Sequence, residues 1–380
     1  MTRHHVAIVA PPWYPIPPHG YGGIELVIGL LSEALRDAGH RVTLLAAEGS
    51  TPGTVSLAPG AWRSDLGGPD ERLRELTYAS RVATALEALD GVDVVHDHCG
   101  FSSLLAACLT DVAPVVHTVH GDIPEAYSTM YSALASRAGF ISISAAQRET
   151  MAELPWIGTV HNAVDVDNLA FTPETKEPYL LCLARICPDK GQDIAIEVAR
   201  RTGMRLVLAG KIETGPESVE YFKRHVEPAI DGDRVVHLHN VAALEKAHLL
   251  SRAYALLAPL QWDEPFGLAM VEAMASGTPV LAMARGAAPE LVTEGVTGFL
   301  VNDADEMTLA VPLVAGVDPW QCAGVTRARF SPAAMAHSYI RLYEGATREP
   351  AFARDVPRGG ATELTLAGTY AVAGPDRMSR

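Results

Sequence analysis

The sequence predicts an α/β protein of two Rossmann-like, doubly wound halves that face each other across a cleft. Three observations carry this. Short apolar runs rich in β-branched residues alternate with stretches of helical spacing from Val6 onward, the signature of βαβ units and parallel sheets. The pattern breaks over Val164 to Pro178, a polar segment with two prolines, and restarts at Tyr179. The 380 residues are long for one core and comfortable for two.

Val6–Ala10 reads as a buried strand, because it is short, unbroken and apolar. A Pro/Gly loop follows to Gly23. Ile24 to Ala38 then places Ile24, Val27, Leu31 and Leu35 on one helical face, and Gly39 stops it. Val42–Ala47 is the next strand. Thr51 to Gly68, rich in Gly, Pro and Ser, reads as loop, and Glu71–Leu89 as helix. Val92–His96, Val115–Val119 and Phe140–Ser144 complete the first half. In the second half Tyr179–Ala184, Arg205–Ala209, Val235–Leu238, Ala255–Ala258 and Val280–Ala284 read as strands, and Gln192–Thr202 as a helix. Ser331–Gly345 is a last helix. The expected division is 1–164, a linker over 165–178, a second half over 179–330, a helix over 331–347 and a tail over 348–380. In that tail the alternating stretch Glu363–Val372 reads as a short strand or as unordered chain.

The formal net charge of −15 argues against a nucleic-acid partner and against docking on anionic lipid through a broad basic face. Phosphate ligands stay open, since a few cations and helix N-termini bind them locally. Five cysteines with no C-x-x-C pair read as free thiols. No signal peptide and no segment of membrane-spanning length is visible, so the expectation is a cytoplasmic protein without an integral membrane span.

The most informative segment runs from Asp263 to Gly277. It follows a strand and opens a helix near Gly267, whose first amides lack partners within the helix. The N–H groups of Gly267, Leu268 and Ala269 are therefore placed to take a phosphate. Glu264 precedes that helix end, and Glu272 lies about 7.5 Å further along the axis. One carboxylate thus meets the sugar side of a diphosphate and the other the nucleoside side, each accepting from vicinal hydroxyls. An acidic helix N-terminus stabilised by its dipole is the plain alternative.

Arg185 and Lys190 form a second cluster between a strand and a helix, where a guanidinium fork and an ammonium would balance a diphosphate without a metal. A solvated loop is the alternative. Pro17 to Gly23 is the third cluster, and its glycines permit close backbone approach. It is not G-x-G-x-x-G, so no dinucleotide fingerprint is read, and an ordinary turn is the alternative. His96, His98, His117 and His120 end strands of the first half. They are read as satisfied cleft histidines, as a metal site, or, for His120, as a sugar contact. Asp165-Val-Asp167 matches a D-x-D string, but it falls in the linker and is discounted.

Together these segments resemble the large retaining glycosyltransferase family four, with the GT-B fold. The matching residues are Gly22-Gly23, His120, Asn162 to Asp165, Arg185 with Lys190-Gly191, the pair Glu264/Glu272 inside Glu-Pro-Phe-Gly-Leu-Ala-Met-Val-Glu, Gly286 to Val292, and Gly298 to Val301. They span about Val6 to Tyr343. The glycine loop and Val95 to His98 look similar to transferases of actinobacterial natural-product pathways. The resemblance implies an acceptor-side first half, a donor-binding second half and a last helix that crosses back to the first. It implies that Arg185 and Lys190 hold the diphosphate and that Glu264 and His120 touch the donor sugar. Phe266, Gly267 and Leu268 would offer backbone amides, and Glu272 would bind the ribose diol. Gly22 and Gly23 would lie near the phosphates or the acceptor. Gly286-Ala287-Ala288 departs from the family's usual glycine pair, and the tail beyond Arg348 has no family counterpart.

The expected activity is metal-independent, retaining transfer of a hexosyl group from a nucleoside diphosphate sugar, UDP first, to an acceptor hydroxyl, with no resident cofactor. A ribose-reading Glu272 suits UDP, GDP and ADP, and disfavours dTDP. Two alternatives stand beside it: a nucleotide-sugar epimerase on the same fold, and a non-catalytic sugar-nucleotide-binding module.

Overall fold

The computed structural model describes residues 3–348 apart from Tyr21, Pro124 and Thr175. The first sheet contains β1 (His5–Val9), β2 (Arg41–Ala47), β3 (Val55–Ala58), β4 (Val94–Asp97), β5 (Val115–Thr118), β6 (Ala138–Ser142) and β7 (Trp156–Thr159). Its order is β3-β2-β1-β4-β5-β6-β7, and every neighbouring pair is parallel. The second contains β8 (Tyr179–Leu183), β9 (Arg205–Ala209), β10 (Val235–Leu238), β11 (Ala255–Ala258), β12 (Val280–Met283) and β13 (Gly298–Val301). Its order is β10-β9-β8-β11-β12-β13, again all parallel. Each sheet is doubly wound, with its reversal of strand order beside its first strand: between β1 and β4, and between β8 and β11. Ligands of such sheets bind outside the strand C-termini at that reversal.

Burial explains which runs became strands. Val6, Ala7, Ile8 and Val9 are fully buried, as are Leu180 and Leu181, so both first strands read as continuous apolar runs covered on both faces. The stretch from Thr51 to Gly68, expected as loop, instead holds β3 and a 3₁₀ turn over Gly60–Asp65. Val55 to Ala58 is only four residues long, but it pairs as an edge strand on β2, and Ala58 and Trp62 are buried in the core. Edge pairing supplied hydrogen bonds that local composition does not encode. β7 and β13 were likewise missed, and both are short edge strands whose hydrogen bonds come from a distant neighbour. The last helix runs over Pro332–Arg348. It buries Met335, Tyr339 and Tyr343 in one cluster with Val27, Leu31 and Leu35 of the Gly23–Asp37 helix, although more than 290 residues separate them. The stretch Glu363–Val372 lies outside the described residues. Among the described residues no helix is long and apolar enough to cross a membrane.

A clasp joins the two halves. The Glu290 carboxylate accepts from the amides of Ala145 and Ala146, each at 2.8 Å, and from Nε2 of His161 at 3.1 Å. It therefore sits at the start of the Ala145–Glu149 helix, where free N–H groups and the helix dipole favour an anion. Burial pushes the Glu290 carboxyl up, but His161 and the two amides outweigh it and leave the group below the usual carboxylate range. We expect Glu290→Ala to lower Tm by a few degrees, since a lost cap costs about 1 kcal/mol and domains of this size shift ~2–4 °C per kcal/mol. Small-angle scattering should report a larger radius for the variant. A variant as compact and as stable as the parent would remove the clasp from the argument.

Candidate active site

β8 ends in a turn that leads through Arg185 to Lys190 and Gly191. Gly191 has φ +64°, and a Cβ there would sit 2.1 Å from the Pro259 carbonyl, so Lys190 is pinned against the loop after β11. The Gln261 amide donating to the Asp189 carbonyl at 2.8 Å closes the same junction. Gly286, at φ +52°, performs the same task from β12: a Cβ would come within 2.4 Å of the Glu264 backbone, and the next amide, of Ala287, donates to the Glu264 carbonyl at 2.9 Å. The departure at Gly286-Ala287-Ala288 thus keeps its glycine at the position where backbone meets backbone.

The Glu264 carboxylate is held by two side chains. Nζ of Lys190 forms an ion pair with it, and Nε1 of Trp262 donates to the same carboxylate at 3.1 Å. Lys190 also lies over the Trp262 ring, 4.8 Å from its centroid. Gly267, at φ +96°, precedes the Leu268–Ala275 helix. Lys190, Glu264, Gly267, Leu268 and Ala269 line one pocket of about 160 Å³ between the ends of β8 and β11, at the reversal of strand order. Glu272 does not line this pocket; it lies further along the helix, is 7% exposed and pairs with Nζ of Lys246 at 2.7 Å.

The predicted residues divide accordingly. Lys190, Glu264, Gly267 and Leu268 meet in one pocket. Arg185 does not line it, and its guanidinium pairs with Glu213. The Phe266 side chain is core, packed edge-on to Phe330 at 6.1 Å between ring centroids, and Phe266 does not line the pocket. Gly23 stands against Leu268 from the other half, since a Cβ on it would approach that side chain to 3.2 Å, but it does not line the pocket. Gly22, at φ +151°, packs against Pro18 and Glu25. Trp262, Lys246 and Glu213 escaped the sequence reading. Trp262 stood two residues from Glu264 and was readable as a neighbour. Nothing in the spacing ties Lys246 to Glu272, 26 residues away.

His120 lies in the facing half. Its Nε2 and Nδ1 of His98 are 2.8 Å apart, so one ring donates to the other. His117 pairs with Asp97 at 2.7 Å, and Asp97 also accepts from Ser103 Oγ at 2.8 Å. His96 is held by the hydroxyls of Tyr343 and Thr118 at 2.7 and 2.8 Å. Each ring has at least one partner, although Nε2 of His98 has none, and among the described residues no group of three or more His, Cys, Asp or Glu could hold a metal ion. Asp122, two residues beyond His120, has its carboxyl raised by burial and by the charges of Glu264 and Asp263, so this loop shares the cleft with the pocket.

Burial holds His96 and His98 well below the usual histidine range and pushes His120 down to about 3. The unfolded chain therefore takes up protons near pH 6.5 that the folded one refuses, and stability rises with pH there. It is fully present above about pH 6.5 and falls as the pH drops below it. Glu290 has the sign of a depressed carboxylate: its contribution is present above about pH 4.3 and disappears below it. Calorimetry should find a lower Tm at pH 5 than at pH 7.5, with a further fall below pH 4. A Tm that is flat or rises on acidification would contradict the buried neutral histidines.

Comparison with known proteins agrees with this geometry. Residues 21–168 match the description "Glycosyltransferase Family 4", and residues 168–312 match "Glycosyl transferases group 1". A D-inositol 3-phosphate glycosyltransferase of Mycobacterium marinum is 26% identical, over 86% of this chain and 79% of its own length. One from Kribbella flavida is 28% identical, over 83% and 86%. The crystal structure of AviGT4, a glycosyltransferase involved in avilamycin A biosynthesis, superposes with a TM-score of 0.69 at 26% identity, covering 90% of this chain and 98% of that one. Anabaena Alr3699/HepE, solved with UDP-glucose, shares the fold at 18% identity and a TM-score of 0.69, covering 90% of this chain and 100% of that one. Two parallel sheets reversing at facing sites, with both halves matched by transferase families, place this chain in glycosyltransferase family four, with the GT-B architecture.

Proposed function

We propose that this enzyme transfers a hexosyl group from UDP-sugar to an acceptor hydroxyl, with retention of configuration and without a metal. The observation that carries the reading is the row of groups along the second half's switch point. Lys190, Glu264 and the helix N-terminus at Gly267 and Leu268 line one pocket, and Glu272, paired with Lys246, lies further along the same helix. A diphosphate laid on the amides would meet Lys190, with Arg185 joining once it leaves Glu213. The ribose diol would reach the Glu272 oxygen that Lys246 leaves free. The sugar would lie between Glu264 and His120. In the step itself the bond from the anomeric carbon to the diphosphate oxygen breaks as the acceptor oxygen bonds on the same face. The acceptor's proton leaves with the departing phosphate. Stabilisation of that leaving group is the main catalytic contribution.

The test is turnover of UDP-sugars in EDTA, with the product anomer assigned by NMR and nucleotides ranked by calorimetry. Activity should survive chelation, the product should keep the donor's configuration, and UDP should bind more tightly than dTDP. Loss of activity on chelation that Mn²⁺ or Mg²⁺ restores, or an inverted product, would overturn the site assignment.

A further inference from the structure

The first half carries its own cavity, of about 290 Å³, where the segments after β1, β4 and β5 converge. His120 and Asp122 line it, so it opens toward Glu264 across the cleft. We propose that this cavity takes the acceptor, and that the acceptor is a hydroxylated molecule carrying no phosphate or carboxylate, bound through an apolar ring face. This rests on the transfer reaction proposed above and deepens it.

The charge of the walls decides the chemistry. Among the described lining residues there is no lysine or arginine, and the acids are Glu75 and Asp122. The first 175 residues contain no lysine at all. The neighbouring Arg72 donates to the Tyr127 hydroxyl at 2.9 Å. Burial, then the charge of Glu71, holds the Glu75 carboxyl above its usual range despite Arg72. Burial keeps His98 and His120 neutral, and the third lining histidine, His117, is taken up by the Asp97 carboxylate at 2.7 Å.

Two helices start at this cavity, and helix starts attract anions. Each already has a carboxylate of the chain beside it, though neither is closed by a side-chain cap. The Asp97 carboxylate accepts from the Cys99 amide, Ser103 Oγ and His117 at the start of the Phe101–Leu109 helix. Glu25, 5% exposed, occupies the first turn of the Gly23–Asp37 helix. An anionic acceptor would lose its water among carboxylates with no cation in return. A neutral ring is better matched: Trp13, Ile123 and Tyr131 offer apolar faces, and His98, 2% exposed, has an Nε2 with no partner in the fold.

The experiment uses the full chain in two stages. Calorimetry with UDP and UDP-glucose comes first, because failure there overturns the proposed function itself. The UDP-loaded protein is then titrated with matched probes: myo-inositol against D-inositol 3-phosphate, glucose against glucose 6-phosphate, and phenyl glucoside against its 6-phosphate. Transfer from UDP-sugars to each is read by mass spectrometry. An unphosphorylated probe should bind more tightly than its phosphate partner by at least about tenfold, which corresponds to about 1.4 kcal/mol. Glu75→Arg should shrink that ratio and Glu75→Gln should shrink it less, with thermal unfolding used to verify that both variants fold. Given UDP binding, phosphorylated probes that bind as well as their partners would overturn this inference alone. So would a panel in which no unphosphorylated probe binds or accepts sugar.

Discussion

Glu264→Ala should lower kcat with UDP-sugar by about 10²–10³-fold, the range seen when one donor or acceptor aimed at transition-state charge is removed, while free UDP still binds near the parent's affinity. Glu264 stands before the helix and lines the pocket, where the proposed site puts the sugar. In the proposed mechanism its interaction would strengthen as charge develops at the anomeric carbon, so the loss should fall on kcat. Glu272→Ala should behave in the opposite way. It lies inside the helix, 7% exposed and paired with Lys246, so it should weaken UDP and UDP-sugar alike. Lys246→Met should reproduce a weaker form of that defect by releasing the carboxylate it holds. Calorimetry with UDP beside steady-state rates separates these outcomes. If Glu264→Ala abolished UDP binding and Glu272→Ala spared it, the nucleotide would run along the helix in the reverse direction.

Lys190→Ala carries the second large effect: a loss of about 2–4 kcal/mol in transition-state stabilisation, or roughly 30- to 1,000-fold in kcat/KM. Lys190 and Glu264 form an ion pair, with side chains 12% and 15% exposed. Removing the ammonium therefore withdraws the cation proposed for the diphosphate and also leaves the Glu264 carboxylate with Trp262 Nε1–H as its remaining named partner. The two positions should be strongly non-additive, so that Lys190→Ala combined with Glu264→Gln costs much less than the sum of the single changes. Unchanged kcat/KM in Lys190→Ala would reduce this loop to a solvated turn. Strict additivity would place the two side chains in separate tasks.

The order and type of the long elements were legible in the sequence because each is encoded locally. Val6 to Val9 or Leu180 and Leu181 cannot avoid a buried parallel strand, and Gly39 cannot continue a helix. Glu264, Gly267 and Glu272 were equally legible, since one strand–turn–helix segment sets their spacing. What lay beyond local encoding was made by neighbours far apart in the chain. β3, β7 and β13 are strands because another strand's edge was free to pair with them. Lys246 orients Glu272, Glu213 turns Arg185 aside, and His98 takes the Nε2 of His120. Glu290 caps a helix 145 residues away. Each of these contacts depends on how two sheets reverse and face each other, and a one-dimensional pattern carries no term for such pairing. The sequence by itself determined the two doubly wound halves and the strand–turn–helix segment that carries Glu264, Gly267 and Glu272. The tertiary structure alone decided which partner each charged group keeps before a donor arrives, because electrostatic pairing depends on distance in space.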